Sequence, residues 1–192
     1  MARVFVDTDV LFPFSLMDLM LALTEDAVHT WVWSDHLLSE WERVIVREQH
    51  RSAHAAARIG EVIREFFADS RVSEDDYKHL IDQMEGPDLD DRHHMAAAIA
   101  GHARTLVTWN VTDFPASFLG RHGVSVSTPD AYLRSLLGRS SREVLGVLAR
   151  MAAGKRRPPM TVHDVLAALG RAGVPGFARG AGSLLTIVEG GF

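Results

Sequence analysis

The 192-residue chain contains no cysteine, which excludes disulfides, thiolate metal sites and cysteine nucleophiles. It also lacks a long apolar run. The longest one, residues 10–23, is broken by Pro13 and Asp18 and is too short to cross a bilayer. No signal peptide is visible, because Met1 is followed almost directly by a strand-like segment. Hydrophobic residues make up 47% of the chain, which excludes a disordered protein. We therefore expect a soluble, cytoplasmic protein that makes no membrane contact.

Charge is distributed unevenly along the chain. Residues 1–133 contain 11 Lys/Arg and 22 Asp/Glu, a balance of −11, whereas residues 134–192 contain 9 and 3, a balance of +6. This split indicates an acidic catalytic body followed by a basic C-terminal piece. The basic piece could contact a polyanion or pack on the acidic body, and composition alone favours packing.

Short apolar segments that are typical of buried strands alternate with segments of helical spacing. We predict strands at residues 3–6, 30–33, 105–109 and 124–126, with helices between them. This alternation favours an α/β fold with a parallel sheet. Ligands of such sheets bind at the carboxyl ends of the strands.

Two helical segments precede the acidic motif at residues 88–91. The first covers about residues 51–67, and its predicted buried face consists of Ala55, Ile59, Val62, Ile63 and Phe66. The second is a short helix over residues 73–84, which Ser73 and Asp76 are expected to open as a capping box.

The sequence changes character at residue 138. Two helices are predicted at residues 144–151 and 162–169, with capping boxes at Ser140 and Thr161, and a basic linker at residues 154–159 separates them. A glycine-rich stretch, residues 170–182, and an apolar tail follow. We predict a catalytic domain at residues 1–137 and a small helical extension at residues 138–192.

Acidic residues lie at the ends of the predicted strands and at the starts of helices. Asp7 ends the first strand, Glu40 lies beside the buried stripe of the helix opened by Ser34, and Asp91 lies in the first turn of an alanine-rich helix. Asn110 and Asp113 follow a later strand. Each residue could equally be a helix cap, a turn residue or half of a salt bridge. Gathered together, the carboxylates would repel one another unless a hard cation such as Mg²⁺ or Mn²⁺ lay among them.

These motifs together resemble those of the PIN-domain ribonucleases, and specifically of the VapC toxins of bacterial toxin–antitoxin pairs. The matching segments are Asp7-Thr8-Asp9, Ser34 with Glu40, Pro87-Asp88-Leu89-Asp90-Asp91-Arg92-His93 and Val107-Thr108-Trp109-Asn110-Val111-Thr112-Asp113-Phe114. The resemblance covers about residues 3–135. The extension is similar to the helical one of some longer members.

The resemblance implies a three-layer α/β/α fold and Mg²⁺- or Mn²⁺-dependent cleavage of RNA. Asp7, Glu40 and Asp91 would hold the metal, with Asn110 and Asp113 holding a second ion or its waters. Many members carry an Asp where this chain has Asn110, so the fourth ligand is divided between Asn110 and Asp113. His93 and His94 are not expected to bind zinc, since no second histidine pair has zinc spacing.

The resemblance also implies an RNA substrate, a cognate antitoxin protein and a homodimer. An acidic body repels RNA, so basic residues outside the pocket should contact the backbone. The candidates are Arg92, Lys155, Arg156 and Arg157, each of which could instead be an ordinary solvated charge.

Three alternative functions remain open. The chain could be a housekeeping PIN nuclease of RNA processing, or a catalytically silent module that binds nucleic acid or protein. A small-phosphoester hydrolase is the weakest alternative, because Asp7 and Asp9 have the required Asp-x-Asp spacing but no partner lysine accompanies them.

Overall fold

The computed structural model describes residues 1–86, 88 and 91–189, and the side chains of residues 188 and 189 lie outside the description. Pro87, Leu89 and Asp90 of the acidic motif and the last three residues of the predicted extension also lie outside it. The chain forms two compact units. The sheet unit comprises Ala2–Phe12 and Thr30–Ser127, and the helical unit comprises Met1, Pro13–His29 and Thr128–Phe192.

A five-stranded parallel sheet organises the sheet unit. Its strands lie in the order β3-β2-β1-β4-β5, and Val4 of β1 is paired with Thr105 of β4. The central strands bury their apolar residues completely, among them Val4, Phe5 and Val6 of β1 and Leu106 and Val107 of β4, as expected for a parallel sheet covered by helices. The strands are β1 Ala2–Val6, β2 His29–Ser34, β3 Arg71–Val72, β4 Thr105–Val107 and β5 Ser125–Ser127.

Helices follow the strands in chain order. The sheet unit contains α2 to α6, and the helical unit contains α1 and α7 to α10. The helices are α1 Phe14–Glu25, α2 Asp35–Arg47, α3 Ala53–Phe66, α4 Glu74–Tyr77, α5 Arg92–Ala100, α6 Ala116–Arg121, α7 Pro129–Arg139, α8 Ser141–Gly154, α9 Val162–Arg171 and α10 Pro175–Glu189. The predicted fold, with a parallel sheet and a C-terminal helical region, is confirmed. No described helix has both the length and the hydropathy needed to span a membrane.

The strand predictions missed β3, which has only two residues and so shows no periodicity. The predicted helix at residues 73–84 is instead the single turn α4 followed by a 3₁₀ segment, Lys78–Gln83. Neither Ser73 nor Ser140 makes the predicted cap hydrogen bond. Ser140 also ends α7, and its N–H donates to Leu136 O, so its backbone adopts a conformation unlike the usual extended N-cap. The capping box of Thr161 and Asp164 is present.

The predicted buried face of α3 is partly wrong. The buried residues are Ala56, Gly60 and Ile63, whereas Val62 and Phe66 are 49% and 73% exposed. The helix packs against α2 through its small residues. Ion pairs join Arg64 of α3 to the α2 carboxylates of Glu42 (3.0 Å) and Asp35 (3.4 Å). The packing and these charges therefore set the rotation of the helix, so that Ile63 is buried while Val62 and Phe66 point outward.

The glycine-rich stretch, residues 170–182, for which no individual helix was predicted, contains the first half of α10 (Pro175–Glu189). Phe177 and Ala181 of this helix are fully buried, and the Phe177 N–H donates to Asp130 Oδ1 of α7 (2.8 Å). A Cβ on Gly176 would lie 2.4 Å from Asp130 Oδ2, so a residue without a side chain is needed where the two helices meet. Glycine at this position allows the two helices to pack closely, although glycine usually weakens a helix.

One polar group is deeply buried inside the helical unit. His29 is fully buried, with its Nε2 3.0 Å from Met20 O and its Nδ1 2.8 Å from the Tyr132 hydroxyl. A carbonyl oxygen only accepts, so Nε2 carries the proton and Nδ1 accepts from Tyr132. Burial lowers the pKa of His29 to about 4 and raises that of Tyr132. The imidazole is therefore neutral at physiological pH.

Candidate active site

Asp7 lies directly after β1, where the sheet order reverses. β1 has β2 on one side and β4 on the other, which is the switch point at which parallel sheets bind ligands. The Asp7 N–H donates to Val107 O (2.9 Å). Its carboxylate is 5% exposed and accepts from the Thr8 N–H at Oδ1 and from Thr108 Oγ1 at Oδ2, each at 2.8 Å. These bonds fix the carboxylate at the strand end.

His94 of α5 lies between Asp7 and Glu40. Its Nδ1 is 2.9 Å from Asp7 Oδ1, and its Nε2 is 3.0 Å from Glu40 Oε2. Burial opposes charge on His94, but these two carboxylates prevail and raise its pKa to about 10. Burial also opposes charge on Glu40, and His94 together with a 2.9 Å hydrogen bond from Thr8 Oγ1 lowers its pKa to about 2. His94 and Glu40 are therefore charged partners at neutral pH.

Asp91 lies at the start of α5, three residues before His94. One ligand atom from each of Asp7, Asp91 and His94 lies within 4.8 Å of the other two. Burial, followed by the charge of Asp7, raises the pKa of Asp91 to about 7. Ionisation of Asp91 beside Asp7 is therefore electrostatically unfavourable.

Asp9 adds a further carboxylate to the cluster. Its Oδ2 accepts from the Trp109 N–H (3.2 Å), and its Oδ1 is buried without a hydrogen-bond partner among the described residues. Burial and the nearby Asp7 raise the pKa of Asp9 to about 7. An unpartnered buried carboxylate oxygen indicates a position where a ligand would be favourable.

Asn110 and Asp113 lie in the turn that follows β4. The Asn110 N–H donates to Thr108 Oγ1 (3.0 Å), and the Asp113 N–H donates to Asn110 O (3.0 Å). Thr108 thus links this turn to Asp7. The charge of Asp113 is among those that raise the pKa of Asp91, so Asp113 acts electrostatically on the cluster. Asn110 is exposed.

The family model described as PIN domain matches residues 3–112, a span that contains Asp7, Glu40, Asp91 and Asn110. The chain belongs to the PIN-domain family. A second model, the VapC50 C-terminal domain, matches residues 129–182. The resemblance to VapC-type PIN proteins with a C-terminal extension is thereby confirmed.

A curated relative of this PIN protein is named "Putative ribonuclease VapC50" and comes from Mycobacterium tuberculosis (strain ATCC 25618 / H37Rv). It is 35% identical over 88 residues, which are 46% of this chain and 52% of the relative. The match thus spans about half the length of the curated relative. No solved structure matches the chain significantly.

The four predicted substrate contacts of the PIN protein differ in their surroundings. Arg92 begins α5 next to Asp91, and its Nε is buried without a hydrogen-bond partner among the described residues. Lys155 belongs to the helical unit and pairs with Asp18 (2.7 Å). Arg156 and Arg157 of the same unit are exposed. Their role in substrate binding stays a prediction.

His94, Thr108 and Thr8 were not predicted as site residues. His94 was considered only as part of a zinc-spaced histidine pair, whereas its contacts are the carboxylates of Asp7 and Glu40. The available signal was its position three residues after Asp91, which places both on one face of the helix. Thr108 had no such signal, because its contact with Asp7 depends on the pairing of β1 with β4.

The donor set fits a hard divalent cation. Asp7, Asp9 and Asp91 provide carboxylate oxygens, which Mg²⁺ and Mn²⁺ prefer. The raised pKa values of Asp9 and Asp91 show that negative charge is costly there. A cation among these carboxylates would offset that cost.

Proposed function

We propose that the chain is a Mg²⁺- or Mn²⁺-dependent endoribonuclease and the toxin of a VapBC-type toxin–antitoxin pair. The observation that carries the proposal is the convergence of Asp7, Asp91 and His94 within 4.8 Å at the switch point of a PIN domain. The name of the relative, "Putative ribonuclease VapC50", supports RNA as the substrate class.

In this proposal Asp7, Glu40 and Asp91 hold the metal, and Asn110 and Asp113 hold its waters or a second ion. A bound divalent ion would neutralise phosphate charge and lower the pKa of an attacking water. Thr8 and Thr108 keep the Asp7 carboxylate in one orientation through their two hydrogen bonds. The pocket thus offers fixed oxygen ligands without rearrangement.

Basic side chains of each unit are the proposed substrate contacts. Arg92 follows Asp91 in the sheet unit, and Lys155, Arg156 and Arg157 provide positive charge in the helical unit. These residues would bind the phosphates of RNA independently of its sequence. Lys155 is the weakest candidate, because its ammonium group already pairs with Asp18.

The first test replaces metal ligands. Asp7→Asn and Asp91→Asn should each lower Mg²⁺-dependent cleavage of RNA by at least about 100-fold, since each removes a ligand charge. Circular dichroism and thermal unfolding should show a folded chain. Asp76→Asn is the matched control, because Asp76 is exposed on α4. Full cleavage by either variant would overturn the assignment of that residue.

The toxin role and the partners need separate measurements. Expression should arrest growth of the host, and co-expression of the cognate antitoxin should relieve the arrest and yield a copurifying complex. We further propose a homodimer, which light scattering of the purified chain would reveal. Cleavage without growth arrest would favour a housekeeping nuclease, and no Mn²⁺ binding at millimolar concentration in calorimetry would favour a silent module.

A further inference from the structure

Two helices bring histidines and a carboxylate together beside the acidic pocket. His36 and Glu40 lie one turn apart on α2 and so share a face of that helix. His94 of α5 faces them. One ligand atom from each of these three residues lies within 4.8 Å of the other two. The sheet unit therefore contains a His-Glu-His cluster in addition to its acidic one.

We propose that His36, Glu40 and His94 form a second cation site that binds a first-row transition ion such as Zn²⁺. Imidazole nitrogens suit such ions, whereas Mg²⁺ prefers oxygen ligands. Two histidines and one carboxylate, with a further position open to water or substrate, are a recurrent ligand set of catalytic zinc. The inference goes beyond the proposed nuclease function, with which this second site shares Glu40 as a ligand.

The spacing of the donor atoms fits one shared ion. Zinc bonds to nitrogen and oxygen of about 2.0–2.1 Å in a tetrahedral shell place neighbouring donors about 3.3 Å apart. Nε2 of His94 and Oε2 of Glu40 are already 3.0 Å apart. All three donor atoms lie within 4.8 Å, so the cluster needs to close by only about 1.5 Å.

The surrounding residues restrict both imidazole rings. The His36 ring stacks on that of His93, with centroids 4.0 Å apart and planes at 5°, which limits rotation of His36. Nδ1 of His94 is 2.9 Å from Asp7 Oδ1. A carboxylate on the far nitrogen of a ligating histidine is the usual support of a metal-bound imidazole.

The alignment of His94 gives an independent indication of a ligand. Its side chain is 2% exposed and both ring nitrogens are buried. Both nitrogens lie at ion-pair distance from carboxylates, yet neither is aligned for a hydrogen bond within the described residues. The short distances reflect attraction between the charged His94 ring and the two carboxylates. A zinc ion bound at Nε2 would displace the proton that this nitrogen carries in the free protein.

The test measures Zn²⁺ binding to the full chain after removal of metals with a chelator. Calorimetry should detect one tight Zn²⁺ in the wild-type chain, and His36→Gln should weaken it at least about tenfold. His54→Gln is the matched control, because His54 is an exposed histidine on α3. In nitrogen-detected NMR, Zn²⁺ should shift the imidazole resonances of His36 and His94. Equal affinity in the wild type and His36→Gln, or unmoved resonances, would overturn the proposal.

Asp91→Asn separates this site from the proposed nuclease centre. The variant lacks an acidic ligand of the pocket and keeps all three residues of the His-Glu-His cluster, so it should retain Zn²⁺ binding while losing Mg²⁺-dependent cleavage. Zn²⁺ binding that survives in His36→Gln but disappears in Asp91→Asn would place the ion among the carboxylates and overturn the inference. Unimpaired cleavage by Asp91→Asn would count against the nuclease assignment alone.

Discussion

The hydroxyl of Thr108 links the two halves of the candidate active site. It donates to Asp7 Oδ2 (2.8 Å) and accepts from the Asn110 N–H (3.0 Å), and it is fully buried. Support of this kind orients a metal ligand without touching the metal. Thr108 is therefore a positioning residue in the proposed nuclease.

Thr108→Val tests this role with little change in volume. We expect Mg²⁺ affinity in calorimetry and the rate of RNA cleavage to fall by about 10- to 100-fold, because the Asp7 carboxylate loses the donor at Oδ2 and keeps only the Thr8 N–H at Oδ1. Thr108→Ser should restore both values, since it retains the hydroxyl. Thr105→Val serves as a control, because the Thr105 hydroxyl contacts Ser125 instead (3.2 Å). A Val variant that matched the wild type would remove Thr108 from the site.

The sequence patterns predicted the acidic residues of the site, but not the side chains that hold these residues in position. Asp7 and Asp91 were predicted from strand and helix boundaries, and the structure brings them together. Glu40 was predicted from its place beside a buried stripe, and it contacts the same His94 as Asp7. The bridging His94 and the supporting Thr108 depend on contacts between residues far apart in the chain. No local pattern marks Thr108, and His94 is marked only by its spacing of three residues from Asp91.

His29 makes the stability of the chain sensitive to acid. Its pKa is about 4 in the folded state, below the ordinary value of 6.5, so the unfolded chain binds the proton first as pH falls. Neutral His29 makes its full contribution to the free energy of unfolding above about pH 6.5, and this contribution is lost progressively down to about pH 4. The free energy of unfolding falls by about 3 kcal/mol in total over this range.

Urea unfolding at pH 7 and pH 4.5 measures this loss. His29→Gln should reduce the fall in unfolding free energy between the two pH values, because an amide can bond to Met20 O and Tyr132 without titrating. His122→Gln, at an exposed position, should leave the fall unchanged. Parallel losses in the wild type and His29→Gln would show that other groups cause the acid sensitivity.

At the scale of elements, α7 and α10 meet through a glycine and a carboxylate. Gly176 approaches Asp130, which accepts the Phe177 N–H at the start of α10. Gly146 of α8 has nothing within 4 Å of a Cβ built on it. The two helical glycines therefore differ in what a methyl group would meet.

Alanine substitutions at the two glycines should change stability in opposite directions. Gly176→Ala should lower the unfolding free energy by about 1–3 kcal/mol, because the new Cβ overlaps Asp130 Oδ2. Gly146→Ala should raise it by about 0.5–1 kcal/mol through better helix propensity. Thermal and urea unfolding of both variants provide the measurement. A destabilised Gly146→Ala, or a neutral Gly176→Ala, would contradict the packing described for these helices.

Helix and strand identity followed from periodicity where packing agreed with it, as in β1 and α2. It failed where one interaction overrode the local pattern. The periodicity of α3 predicts that Val62 and Phe66 are buried. The packing of the small residues and the ion pairs of Arg64 instead turn these two side chains toward solvent. No individual helix was predicted over the glycines of α10, because their packing against α7 involves a distant part of the chain.

At the scale of the molecule, part of the C-terminal positive charge is already neutralised within the helical unit. Arg150 pairs with Glu25 (3.2 Å) and Asp26 (2.7 Å), and Lys155 pairs with Asp18 (2.7 Å). These pairs agree with the expectation that basic C-terminal residues pack against acidic ones. The exposed Arg156 and Arg157 have no recorded ion pair within the described residues and are the better candidates for RNA binding.

The double variant Arg156→Ser/Arg157→Ser tests the proposed RNA contact. We expect weaker binding of single-stranded RNA in fluorescence anisotropy and a salt dependence lowered by about 1.4 in logarithmic slope, because two phosphate contacts are lost. Mg²⁺ affinity should not change. Arg171→Ser, at another exposed arginine of the helical unit, is the control. An unchanged slope would exclude both arginines from the contact.

The pairing of β1 with β4 has a consequence for the order of events during synthesis. Asp7 is made about a hundred residues before its partners, because its backbone N–H bonds to Val107 and its carboxylate to Thr108. The strand beside β1 thus emerges from the ribosome about a hundred residues later. At about 5–20 residues per second, the ribosome needs roughly 5–20 seconds after adding Asp7 to reach Val107 and Thr108. A nascent chain therefore cannot assemble this acidic cluster until β4 and Thr108 have been translated.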